Sequence, residues 1–451
     1  MRKFLILLPI ILCVYLSSCR GYVEVDQPGV RTLKYTSDFQ YLLNNVNTFE
    51  YAYTLPLLSS DDIDINSTSI LNNLTDDNKQ VYTWADYFYT SSQTDVNWSN
   101  LYNQIYNCNA ITDKVLSSQG GTDAEKKGIY AEALMQRAYA YHTLMNMYSP
   151  IYQESTADAT LGVPLLLTPD LYASLKRPTA RTVYNQIISD IREALPNLPV
   201  SPTNVIHPGQ TAAYALLART YLYMQKYDSA GVNAQKALDR QSTLLDLQTL
   251  TTGTLPKRLN DPEIILSKVA SFYTLLPLSS KLINLFSTTD LRYSLYTVDG
   301  GSSLVNPKFT GRAFYRNKSI GEDINVGLSV PEMMLIKAES LVRKGQYNDG
   351  IQVLNDLRKM RFKTADYVDL SAQSASEALK IVIEERRREL MGRGMRWFDQ
   401  RRLSTETGLV DTVQRVVSGV TYTLAPMSNR YTFPISAKVT DLNPEIEQNP
   451  R

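Results

Sequence analysis

QTAAYALLARTYLYMQKYDSAGVNAQKALDR, residues 210–240, carries two apolar faces at helical spacing with a short turn between them. Tyr214, Leu217, Ala218 and Tyr221 recur at steps of three and four; Tyr227 and Ala230 follow the turn, and Ala234 and Ala237 continue the face on a second helix. Small residues at Ala218 and Ala230 let two antiparallel helices approach closely while tyrosines fill the flanking gaps.

The pattern recurs. PEMMLIKAESLVRKGQYNDGIQVLNDLR (331–358) places Met334, Ala338 and Leu341 on a first helix, Gly345 and Tyr347 at the turn, and Gly350, Leu354 and Leu357 on a second. A stretched copy pairs Ile129–Met147 with Val183–Leu195, and further helices are expected over Asn100–Leu116 and Glu377–Gly392. Three copies of one helix-turn-helix period predict a tetratricopeptide-like (TPR-like) scaffold. The fold class is therefore mainly α: TPR-like helical pairs within about 100–240 and 330–395, long irregular insertions and few short strands, in a single globular unit. The insertions, about 55–98 and 241–325, are poor solenoid material and are where such a scaffold carries its binding surface. The C-terminal run YTFPISAKVTDLNPEIEQNP reads as a short strand and a closing tail.

The N-terminus carries an address. Arg2 and Lys3 precede an apolar run, Phe4–Leu16, too short to cross a bilayer, and Leu16-Ser17-Ser18-Cys19 resembles a bacterial lipobox. Residues 1–18 then form a lipoprotein signal peptide, Cys19 takes the lipid, and 19–40 tether it to a domain spanning 41–451. A plain secretory signal with an incidental cysteine is the alternative. Cys13 falls within the signal, so Cys108 remains alone and no internal disulfide is expected. The chain of 451 residues has a formal net charge of +1, which disfavours a dedicated nucleic-acid binder. Its thirty tyrosines suit packed helices and wet binding surfaces alike.

EERRRELMGRGMRWFDQRR (384–402) holds seven arginines and four acids. It reads as a basic patch for nucleic acid, as a carboxylate pair (Glu385 and Glu389) for acid/base work, or as a charge lattice bracing the fold. Elsewhere chemistry finds little material. His142 and His207 have no partner at i+3 or i+4, and no nucleophile elbow, phosphate loop or dinucleotide fingerprint occurs. No catalytic residue, metal or cofactor is assigned. Asp61, Asp62 and Asp64, with Asn66 behind them, form the densest acidic cluster, and read as a solvated turn, a ligand contact or, without the DxDxDG spacing, least readily as a calcium loop. Trp84 and Trp98 invite stacking or burial, and Trp397 offers its face to a guanidinium.

These pieces together resemble the SusD/RagB family of lipid-anchored outer-membrane nutrient-binding proteins. The resemblance rests on the lipobox at Cys19, WSNLYNQIYNCNAI (98–111), ALMQRAYAYHTLMNMYSPIY with GVPLLL, AAYALLARTYLY, VPEMMLIKAESLVRKGQY with VLNDLRKMR, the arginine-rich stretch and the tail, in the family's order. It implies four TPR-like helix pairs with the insertions opposite them. It implies no catalysis, but capture of oligosaccharide, or in some members peptide, for a SusC-like TonB-dependent outer-membrane transporter. A surface glycoside hydrolase is the rival from another class. The protein would face the cell surface, held to the membrane by lipid and binding no nucleic acid. Trp98 and Trp397 fall in the shared scaffold, so the ligand side is expected to use Asp61, Asp62, Asn66, Trp84, Tyr87, Tyr89, Tyr273, Tyr293, Tyr296 and Phe314. Glu385, Arg388, Glu389, Trp397 and Asp399 are expected to brace the fold, with Glu384 pairing Arg388 and Glu385 pairing Arg388 or the neighbours of Glu389.

Overall fold

A computed structural model of the chain describes residues 33–272 and 274–451. The signal peptide, Cys19, most of the tether and Tyr273 lie outside the described residues. Ten longer helices carry the architecture: α1 (Thr36–Leu43), α2 (Val96–Lys114), α3 (Asp123–Tyr148), α4 (Ala180–Ala194), α5 (Gln210–Tyr223), α6 (Tyr227–Leu238), α7 (Val330–Arg343), α8 (Tyr347–Lys359), α9 (Ala375–Glu389) and α10 (Met395–Leu403).

Their ends follow local chemistry. Asp95 caps α2 by accepting from the N–H groups of Asn97 and Trp98, and Thr122 and Glu125 form a reciprocal capping box on α3. From Ala131 to Tyr148 every side chain of α3 is buried, so this helix is the axis of the fold rather than an amphipathic wall. Neighbouring helices lie against it: α2 and α4 pack along α3, and α5 on α6, α6 on α7 and α7 on α8 follow in turn. Buried ion pairs stitch the series, Arg137 of α3 to Asp190 of α4 at 2.8 Å and Arg219 of α5 to Glu332 of α7 at 2.6 Å.

The turns of the two clearest pairs share one geometry. Lys226 N–H donates to the Tyr221 carbonyl and Gln346 N–H to that of Leu341, the bond that closes a Schellman turn, and the residue before each is left-handed: Gln225 at φ 58° and Gly345 at φ 85°. Between pairs, glycine sets the approach. A β-carbon on Gly231 would lie 2.2 Å from the Ser340 hydroxyl, which is how α6 comes to rest on α7.

Eight short strands form four two-stranded antiparallel ribbons. Two of them, β1 (Ile264–Leu266) with β6 (Leu328–Ser329) and β2 (Val269–Ala270) with β5 (Ile324–Asn325), fold the central insertion back onto the start of α7. The third pairs β3 (Thr297–Asp299) with β4 (Arg312–Phe314). The fourth is a hairpin, β7 (Val413–Val417) and β8 (Val420–Leu424), turning at Ser418 and Gly419, both at positive φ as a tight hairpin requires.

Two expectations fail here. The Tyr431–Pro434 run forms no strand: Asn429–Tyr431 is a 3-10 turn, Pro434 has no N–H to give to a ladder, and Ala437–Leu442 is a short helix. Residues 55–98 are not irregular throughout: Leu55–Ser59, Thr68–Asn73 and Asp76–Tyr82 are helical, with Pro56 tolerated in a first turn.

Candidate ligand site

The two insertions meet at a pair of adjoining pockets. The first is lined from one side by Leu57, Asp62 and Ile63, from the other by Phe272, Leu276, Phe314, Asn317 and Lys318, with Gly392 and Gly394 beneath. The second shares Phe314, Asn317 and Ile324 and adds Tyr296, Arg316 and Arg393. Phe314 is thus the ring between them. Its seat depends on a missing side chain: a β-carbon on Gly392, itself at φ 75°, would lie 2.3 Å from the phenyl ring.

The arginine-rich stretch forms the floor. Glu385 accepts from Arg292 and Arg388 at 2.7 Å and from Arg358 at 3.0 Å, and Glu389 accepts from Arg292 at 2.7 Å and Arg361 at 2.8 Å. Asp399 joins Arg386 and Arg402, each at 2.8 Å. Burial alone would raise both glutamates' pKa values, but the surrounding guanidinium groups outweigh it and hold each below the usual carboxylate range. Neither can hold a proton near neutral pH, which a general acid requires. Of the two glutamates expected to pair with Arg388, Glu385 does so and Glu384 is exposed, because three residues along the helix brings the buried carboxylate beneath the guanidinium. The face of Trp397, expected to take a guanidinium, is occupied by aromatic rings instead. The indole stacks on Phe433 at 5.3 Å and 7°, and meets Tyr431 at 5.1 Å, so the closing tail fills that place.

The expected ligand residues separate. Asp61 is clamped by Arg396 at 2.7 and 2.9 Å, and Asp62 by Arg387 at 2.6 Å, so these two form an ion-paired corner and not a solvated turn, while Asp64 is exposed. Asp62 still lines the first pocket, whereas Asn66 is exposed on its own. Trp84 is buried at 1% exposure, donates its indole N–H to the Ser59 carbonyl at 2.9 Å and lies under Arg415; it offers no stacking face. Tyr296 is likewise buried, with Arg316 above its ring. Tyr293 is half-buried and covered by Arg312 at 4.2 Å. Tyr87 is exposed and Tyr89 half-buried on the loop leading to Asp95, and neither lines the two pockets. Of the ten expected residues the structure therefore gathers Asp62, Tyr296 and Phe314. Sequence reading missed Phe272, Asn317 and Lys318; Phe272 was legible beside Tyr273 in the same insertion, but the other two carry no local signal.

Among the described residues no group of His, Cys, Asp and Glu has metal-ligand geometry, and no helix is long and apolar enough to cross a membrane. His142 is buried in the helix core, stacked on Tyr223 and pushed well below its usual pKa by burial; His207 pairs with Glu132.

Comparison with known proteins agrees with the architecture. A family model described as "Starch-binding associating with outer membrane" matches residues 25–222, and the SusD family model matches residues 328–451. Among curated relatives, SusD-like protein P38 of Formosa agariphila is 22% identical over an alignment covering 80% of each chain. A SusD superfamily protein of Bacteroides thetaiotaomicron superposes with a TM-score of 0.74 at 20% identity, covering 92% of this chain and 100% of its own. A putative sugar binding protein of Bacteroides vulgatus does so with a TM-score of 0.72 at 20% identity, covering 93% and 99%. From motif order, helical architecture and the two matched models, the chain belongs to the SusD/RagB family of outer-membrane-associated proteins.

Proposed function

We propose that this chain is a non-catalytic binding protein that captures oligosaccharide at the outer membrane and passes it to a SusC-like TonB-dependent transporter. In this reading residues 1–18 direct export, Cys19 carries the lipid, and the domain over 41–451 faces the cell surface. The observation that carries the ligand side is the convergence of both insertions on Phe314. An aromatic ring flanked by Asn317, Lys318 and the buried Asp62 pairs an apolar face with hydrogen-bonding groups, the combination a sugar ring presents in mirror image. Phe272, Phe314, Asn317 and Lys318 all lie between the two matched family segments, whereas Asp62, Gly392 and Gly394 lie within them, so the site joins residues outside the matched segments to residues of the shared scaffold. The description of the first family model as starch-binding, and the sugar-binding name of the Bacteroides vulgatus neighbour, support the ligand class.

The test is affinity electrophoresis of the purified protein through gels containing single polysaccharides. Retardation without release of reducing sugar is expected. Phe314→Ala should weaken it about tenfold or more, the scale of losing one stacked aromatic. Release of reducing sugar would overturn the non-catalytic reading, and retardation unchanged in Phe314→Ala would move the site elsewhere.

A further inference from the structure

An opening of about 640 Å³ lies away from the pockets above and shares no residue with them. It runs between the first turns of α1 and α3, bounded by Tyr35, Gln40 and Tyr41 on one side and by Gln119, Glu125 and Pro199 on the other. Its volume is in the range of pockets that enclose small ligands. We propose that this cleft is a second binding site for a neutral oligosaccharide, at the point where the tether enters the fold; the inference rests on the oligosaccharide reading above.

Three observations converge on it. The rim is pre-organised. Thr36 N–H donates to the Gln119 carbonyl and Gln119 N–H to that of Lys34, both at 2.9 Å, while the Thr36 hydroxyl donates to the Gly120 carbonyl at 2.6 Å. Gly121 closes against Thr36 so tightly that a β-carbon would sit 2.8 Å from it. Ordering of the rim therefore precedes any ligand, which reduces the entropy lost on binding.

The lining also has the chemistry. Tyr35 is 50% and Tyr41 62% exposed, large rings kept at a surface beside amides and a carboxylate. Tyrosine joins an apolar face to a hydroxyl at little conformational cost, and suits the alternating C–H and O–H surface of a sugar. Glu125 and Glu132 line the cleft and no lysine or arginine does, although the Lys34 ammonium lies over the Tyr35 ring at 5.9 Å; the balance disfavours an anionic ligand. At the inner end Glu132 is already engaged, accepting from His207 Nδ1 at 2.6 Å.

Finally, the floor is held open by Gly128, inside α3. A β-carbon there would meet only the Asn197 carbonyl, at 4.0 Å. Glycine weakens a helix interior relative to other residues, and no neighbour demands it at this position. Its effect is bare backbone in the wall of the cleft, with room for a side chain.

The test uses the purified chain titrated calorimetrically with maltoheptaose, cellohexaose, laminarihexaose, mannohexaose and xylohexaose, with hydrogen exchange to locate the bound sugar. Wild type should show two sites for one of these glycans, with protection over 35–41 and 119–132. Gly128→Met, which fills the floor and favours the helix, should weaken one site by about tenfold or more without lowering the unfolding midpoint, and Tyr41→Ala should do the same. Binding that survives Phe314→Ala but is lost in Gly128→Met would support this cleft while refuting the Phe314 site. Protection confined to residues 57–63 and 314–318, unaffected by Gly128→Met, would overturn the second site and leave the first intact. Failure of every glycan to bind, or protection of the cleft only by peptides, would overturn it as well.

Discussion

Asp61 shows how a residue that looks available in sequence is spent in the fold. Burial would raise its pKa, but charge attraction and a bidentate hydrogen bond from Arg396, with the charge of Arg387, outweigh that and hold it at about 2. A carboxyl depressed in the folded state contributes stability above its ordinary value of 3.8, and that contribution disappears as pH falls through about 2. The loss should be about 2 kcal/mol, and Glu339, also held at about 2, titrates in the same window. Asp61→Asn should therefore remove about one proton's share of the decline in urea stability between pH ~4 and ~2. A wild-type slope in that variant would show that Arg396 does not set the pKa of Asp61. Glu385 makes a sharper case. It is fully buried under three arginines, so Glu385→Gln should cost about 3–5 kcal/mol of unfolding free energy by leaving guanidinium charge uncompensated. Its exposed neighbour supplies the contrast: Glu384→Gln should stay within about 0.5 kcal/mol of wild type in the same urea titration.

At the scale of elements, the turns between paired helices are the informative parts. Gln225 and Gly345 occupy the same left-handed position in equivalent Schellman turns, but only the second is glycine. A side chain in that conformation costs about 1 kcal/mol, partly offset by the greater freedom glycine has when unfolded. Gln225→Gly should raise stability by about 0.5 kcal/mol, read as a small rise in melting temperature; a fall would mean that the hydrogen bond from the Gln225 amide to the Tyr152 carbonyl, at 3.3 Å, matters more. The helix pairs were legible because their apolar faces repeat every three to four residues. The ribbons were not: β1, β2, β5 and β6 are two or three residues long, and a period of two cannot be recognised in so short a run. The hairpin over 413–424 was missed because Ser418 replaces the asparagine or aspartate that normally announces such a turn before glycine.

For the whole molecule, the arginine-rich stretch is the junction. Through Arg387 and Arg396 it holds the 61–62 corner, through Glu385 and Glu389 it reaches Arg292 and Arg361, and through Arg402 it holds Glu339 of α7. Both insertions are thereby fixed to the helical scaffold, and the Phe314 pockets lie where they meet. The proposed attachment to the membrane rests on the lipobox-like stretch ending at Cys19. Cys19→Ala should move the protein from the outer-membrane fraction into the periplasmic or secreted soluble fraction, followed by immunoblotting; a variant that remains wholly with the outer membrane would place the anchor elsewhere.

Sequence by itself determined the helical pairs, their turns and the family, and it carries the lipobox-like stretch on which the proposed anchor rests. Each rests on local order: a helical period, a turn residue or a short motif that no distant contact can alter. Only the tertiary structure decided which aromatics stay accessible and which carboxylates are consumed by ion pairs. Trp84 and Tyr296 look like stacking platforms until the chain folds over them, and Asp61 looks like a ligand until Arg396, 335 positions away, arrives beside it. Burial and ion pairing are set by what the fold brings together, and a linear pattern carries no record of that distance.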